Sequence, residues 1–143
     1  MPTVELLFSA QPEHVRTARL VAAAVARRAG VDEAVLDEVR LAVGEACSRA
    51  VGLHLSNGVD RPVRVLLTEE EKKFSIEVGD EAPGSPAGSV PSARASGADD
   101  SDDEGEMGLA VISGLVDDVE VTVGEHGGII RMSWPTASAV VLP

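Results

Sequence analysis

Two oppositely charged side chains, Glu45 and Arg49, stand one helical turn apart in the stretch Val39 to Leu53, VRLAVGEACSRAVGL. At that spacing they share one side of a helix. A carboxylate is a proton acceptor and a guanidinium a five-donor fork. The two therefore form either an intrahelical ion pair worth ~0.2–0.5 kcal/mol or polar groups turned to a ligand or partner. Spacing alone favours the ion pair. Asp80 closes an apolar, β-rich run and enters a turn at Glu81-Ala82, a common place for aspartate. His54, at the end of the helical stretch, reads as a surface or satisfied helix-end residue rather than a ligand. Cys47 is the one cysteine, which excludes an intrachain disulfide and cannot by itself supply a metal cage. No zinc-type site is expected, and a reducing cytoplasm is the natural compartment.

The elements that must position these residues follow from periodicity. Thr3 to Phe8 reads as a strand, and Pro12 with Glu13 opens a first helix that runs to about Ala29 and stops at Gly30. Arg16, Arg19, Arg27 and Arg28 project from this helix as solvated charges, two of them complementing its C-terminal end. Asp32 is the N-cap of a second helix. At ~100° per residue, Leu36, Val39, Val43, Ala46, Ala50 and Leu53 fall on its core face. Glu38, Ala42, Glu45, Arg49 and Gly52 fall on a neighbouring polar side.

Val63 to Thr68 and Phe74 to Val78 predict an antiparallel hairpin joined by Glu69 to Lys73. From about residue 83 to 106 the composition shifts to Gly, Pro, Ser, Ala and acidic residues without apolar periodicity, so a flexible acidic lid loop is expected. Met107 to Leu115 predicts a short helix. Val119 to Val123 and Ile129 to Trp134 predict a second hairpin closed by Pro135. The order describes an α+β protein, a two-layer sandwich with helices on one face of a mostly antiparallel sheet, in one domain spanning 1–143.

Composition narrows the partners. Twelve basic and twenty-four acidic residues give a formal charge of −12, which repels nucleic acid and anionic membranes. The longest apolar run, Leu20 to Ala26, is far below the ~20 residues of a membrane-spanning helix, and no signal segment opens the chain. With two Phe, one Trp and no Tyr, the core is aliphatic.

Three stretches in order, Leu41 to Leu53, Gly79-Asp80-Glu81-Ala82 and Gly105-Glu106-Met107-Gly108-Leu109, resemble the nucleotide-site motifs of the anti-sigma-factor serine kinases. These kinases belong to the ATPase superfamily that also holds gyrase and the histidine kinases. The resemblance implies the Bergerat, or histidine-kinase-like, ATPase fold, with ATP and magnesium as cofactors. It makes Glu45 the catalytic base toward a partner serine, with Arg49, Asp80, Ala82, Gly105 and Gly108 at nucleotide-binding positions. Asp80 would bind the adenine amino group; Gly105 and Gly108 would lie beside the phosphates, where a helix start favours anions. Arg49 stands where the family has a magnesium-ligating asparagine, and guanidinium has no acceptor to offer a cation. Ala82 replaces a glycine that lets the base approach. Ile129 and Ile130 stand where the family often has a threonine near the nucleotide. Leu53 takes the place of a histidine, with His54 one position later. The acidic residues from Asp99 to Glu106 would repel a triphosphate.

The resemblance thus implies a cytoplasmic, homodimeric anti-sigma factor that sequesters an alternative sigma factor and is countered by an anti-anti-sigma partner of the STAS type. With its metal ligand replaced, weakened or lost nucleotide use is the first expectation. The alternative is an active ATP-dependent serine kinase in which Arg49 contacts phosphate directly.

Overall fold

The computed structural model describes residues 3–83, 110–116 and 118–136. The expected lid and both of its glycines, Gly105 and Gly108, lie outside the described residues. Strand β1 (Thr3–Phe8) leads into helix α1 (Glu13–Ala29), whose first turn carries Glu13 and whose last carries Arg27 and Arg28. Both placements complement the helix dipole. Gly30 ends the helix with φ at 102°, a left-handed conformation that costs glycine little, and the Val31 N–H donates back to the Ala26 carbonyl at 3.0 Å.

Asp32 caps, but not the helix itself. Its side chain accepts from the Ala34 N–H at 3.0 Å and opens a single 3-10 turn, Glu33–Val35, which feeds helix α2 (Leu36–Asn57). The second helix was expected to start directly at Asp32; the tighter turn intervenes because the aspartate satisfies the donor two residues on.

Strands β2 (Val63–Glu70) and β3 (Lys73–Asp80) are longer than the apolar runs that signal them. They meet in a two-residue turn at Glu71-Lys72, with Lys72 at φ 67°. Residues 110–115 are helical, within the expected stretch. Strands β4 (Asp118–Gly124) and β5 (Gly127–Pro135) form the second hairpin. The sheet runs β1-β2-β3-β5-β4 with every neighbouring pair antiparallel.

One face of the sheet takes the helices. Alternation along β2, β3 and β5 sends Val63, Val65, Leu67, Phe74, Ile76, Val78, Ile130, Met132 and Trp134 inward, all buried. Small side chains meet them: Ala18, Ala22 and Ala26 from α1, and Ala42, Ala46 and Ala50 from α2. Ile112 is fully buried in the same core. Five strands with helices layered on one side make the α+β two-layer sandwich that the periodicity predicts. No helix among the described residues is long and apolar enough to cross a membrane.

This layering sets where α2 lies relative to the end of β3. Since β3 is the central strand of the sheet, core truncation there is expected to be expensive. Ile76→Ala, at a position 0% exposed, is predicted to cost about 2–5 kcal/mol, read as a lower urea midpoint at unchanged m. Leu7→Ala, at 54% exposure, should change stability by less than about 1 kcal/mol.

Candidate functional site

Helix α2 presents Glu45 and Arg49 half-buried, next to Ala46, Cys47 and Ala50 that pack inward. The intrahelical ion pair favoured by spacing is not formed. Among the described residues Glu45 has no ion-pair partner, and neither has Arg49. The opposite charge that acts on Arg49 is Asp80, at the end of β3. Burial lowers the guanidinium's pKa from its ordinary value, Asp80 partly restores it, and the group stays cationic. Ala42, expected on the polar side, is instead fully buried. Its small side chain lies where the polar side meets the core, so it packs rather than faces solvent.

Asp80 is held on several sides. Its carboxylate accepts from the Ala82 N–H at 3.0 Å and from the Gly128 backbone. Ala82 is buried and lies outside the positive-φ region, so its methyl is accommodated without backbone strain. Gly127 and Gly128 form the opposite wall. A Cβ at Gly127 would stand 2.1 Å from the Asp80 carbonyl oxygen, and Gly127 itself has φ 147°, so only glycine fits there. A Cβ at Gly128 would approach the Asp80 carboxylate to 3.2 Å. Ile129, at 44% exposure, sits on the outer face of the sheet, and Ile130 is in the core.

His54 ties these parts together, and the expectation of a helix-end residue understates it. The ring is fully buried. Nδ1 lies 2.9 Å from the Arg61 carbonyl, and Nε2 accepts from the Glu81 N–H at 2.8 Å. A carbonyl only accepts and an amide N–H only donates, so Nδ1 carries the proton and the ring is neutral. One side chain thereby joins the end of α2, the segment before β2 and the turn that carries Asp80. The Arg61–Glu81 ion pair, 3.1 Å, spans the same junction at the surface. The sequence signal was available in part: a histidine one residue past the motif's usual end, and two adjacent glycines that a two-residue hairpin turn at Glu125-His126 does not require.

The donor chemistry decides what the site can hold. Magnesium takes oxygen ligands; Arg49 supplies none, and among the described residues no three His, Cys, Asp or Glu side chains gather as a metal site. These residues do not fit the metal. A carboxylate fixed by backbone donors, with lone pairs to spare, suits an amino group of a heterocyclic base.

Residues 8–134 match the family model of the histidine kinase-like ATPase domain. The chain belongs to that family. Within the histidine kinase-like ATPase family, the chain is similar to the serine-protein kinase RsbW of Oceanobacillus iheyensis, 27% identical over 91% of this chain and 84% of that protein. It is also similar to the serine-protein kinase RsbW of Bacillus subtilis, 28% identical over 88% of this chain and 80% of that one. A crystal structure of the RsbU and RsbW domains of a Mycobacterium tuberculosis protein superimposes with a TM-score of 0.68 at 16% identity. The match covers 95% of this chain but only 32% of that longer one, and it carries the fold alone. The resemblance to the anti-sigma-factor serine kinases and the α+β fold are thus borne out. In this histidine kinase-like ATPase domain the aspartate turn lies between α2 and the β4–β5 hairpin.

Burial raises the Asp80 pKa from its ordinary value; the Ala82 N–H, the Arg49 charge and the Gly128 N–H offset this only in part. A folded-state pKa above the unfolded value means that the protonated form is favoured by folding. The associated stability is present below the unfolded pKa and is lost as pH rises through the folded one. Asp80→Asn should therefore melt no lower than the parent at neutral pH, and any advantage should vanish as the pH falls toward the ordinary carboxylate value. Thermal melts of both proteins across that range check this.

Proposed function

We propose that this chain is a cytoplasmic anti-sigma factor of the RsbW type. It sequesters an alternative sigma factor as a homodimer and is countered by a STAS-type anti-anti-sigma partner, with its phosphoryl-transfer chemistry lost. Arg49 at the position of the magnesium ligand carries the reading. Phosphoryl transfer draws on positioning and charge neutralisation, normally with magnesium bridging the phosphates. A side chain with five donors and no acceptor cannot hold that ion. The sheet, the two helices and the Asp80 turn persist around the altered position, which supports retained protein binding on an altered nucleotide site.

A second reading rests on Glu45. Its carboxylate is half-buried and without an ion-pair partner among the described residues, so it is free to accept a proton from a partner serine brought within hydrogen-bond reach. On that reading the chain is a serine kinase of the anti-anti-sigma factor, and the names of its relatives support it.

Incubation with γ-labelled ATP, magnesium and a STAS-type anti-anti-sigma protein separates the two. No label should reach the partner, and a complex with the sigma factor should survive in the same mixture. Arg49→Asn should gain magnesium-dependent labelling through Glu45. Stoichiometric labelling by the unaltered chain would sink the proposal in favour of the kinase.

A further inference from the structure

We propose that His54 is a proton-operated latch: uptake of a proton at Nε2 frees the Asp80 turn from α2 while the rest of the fold stays closed. This goes beyond the proposed function and does not depend on whether a nucleotide binds. Nε2 accepts the Glu81 N–H at 2.8 Å and Nδ1 stands 2.9 Å from the Arg61 carbonyl, with the ring 0% exposed. A second proton on the ring has one place to go, the Nε2 lone pair that the Glu81 amide already uses. It would set two donors face to face and leave a charge in a fully buried position. The closed bridge therefore excludes the imidazolium, and the ring gains a proton only by letting go of Glu81.

Letting go has a local consequence. The main chain at His54 is held independently of the ring, because the Val59 N–H donates to the His54 carbonyl at 2.9 Å. Glu81 directly follows Asp80, the last residue of β3, so the amide that the ring grips belongs to the aspartate turn. The Arg61–Glu81 ion pair crosses the same junction at 3.1 Å, but its side chains are 65% and 47% exposed, so it holds weakly in water. The strands beneath are fixed by their own ladder and by buried residues such as Ile76 and Val78.

The charged groups around the ring come from every side of the junction. Arg49 on α2 and Arg61 ahead of β2 oppose an imidazolium. Asp80 and Glu81 at the end of β3 favour one, and the Asp80 charge interacts with His54. Glu81 is engaged by Arg61, however, and the Asp80 carboxylate by the Ala82 and Gly128 backbone. Glu125 and His126, in the β4–β5 turn, face Arg61 and Glu81 across an open cavity of about 600 Å³ and are strongly exposed. None of these charges supplies an acceptor in place of the Nε2 lone pair, so the Glu81 amide loses its partner whichever sign prevails.

Amide hydrogen exchange of the full chain, read residue by residue by NMR between about pH 7.5 and about pH 5.5 and corrected for intrinsic rates, tests this. A proton that binds only the opened ring favours opening about tenfold per pH unit once the pH is below the ordinary imidazole value of ~6.5. Protection of the Glu81 amide should accordingly fall about tenfold across the range, in step with the His54 ring titration followed by ¹⁵N spectra of the same sample, while the Ile76 amide stays protected. His54→Gln, whose carboxamide oxygen can accept from Glu81 without titrating, should abolish the step; Asp80→Asn should keep it. Should His54→Gln fail to fold, the match between ring titration and Glu81 exchange in the unaltered chain decides. Glu81 protection that stays constant across the range, a step that survives in His54→Gln or vanishes in Asp80→Asn, or an equal loss at Ile76 would overturn the latch.

Discussion

The His54 bridge is the contact on which the candidate site depends. A neutral, fully buried imidazole donates from Nδ1 to the Arg61 carbonyl and accepts at Nε2 from the Glu81 N–H, spending both ring nitrogens on backbone. These are the kinds of buried groups that are costly to leave unpaired. Because the ring leaves α2 near its end and closes on the residue after Asp80, it fixes the aspartate turn relative to the helix that carries Glu45 and Arg49. On the far side Gly127 permits the approach of the β4–β5 hairpin, where any side chain would collide with the Asp80 carbonyl. The turn is thus clamped between a histidine that reaches it and a glycine that makes room for it.

Within that frame a single residue type changes what the site can do. The fold of the histidine kinase-like ATPase domain is retained, with its helices on one face of a five-stranded antiparallel sheet. On the proposed reading Arg49 puts a cation at the metal-ligand position, and Glu45 keeps a carboxylate at the base position. On that reading the chain acts by what it binds rather than by phosphoryl transfer.

Much of the fold was readable from periodicity. The alternation in β2, β3 and β5 and the helical spacing of Leu36, Val39, Val43, Ala46 and Ala50 placed the core, because burial of one face is what those patterns encode; Leu53, expected on the same face, is only half-buried and stands outside the core cluster. The strands ran longer than their apolar runs, since Glu69, Glu70 and Lys73 continue the ladder on backbone hydrogen bonds that the side chains do not advertise. Asp80 and Ala82, singled out through the resemblance, lie in one turn in which the Ala82 N–H donates to the Asp80 carboxylate. The Glu45–Arg49 pairing was misjudged for a physical reason: a helical pair worth a few tenths of a kcal/mol is outweighed by tertiary surroundings that present Asp80 to the arginine. His54 and Gly127 escaped notice because their partners, Glu81 and Asp80, are distant in sequence and only the β3 and hairpin positions bring them together.

The central claim is that Arg49 belongs electrostatically to Asp80, at the end of β3, and not to Glu45 along its own helix. A pair of double-mutant cycles on thermal or urea stability, Arg49→Gln with Asp80→Asn and Arg49→Gln with Glu45→Gln, measures this directly. The account predicts a favourable, salt-sensitive coupling between Arg49 and Asp80 and one indistinguishable from zero between Arg49 and Glu45. A Glu45–Arg49 coupling larger than the Arg49–Asp80 coupling would contradict it.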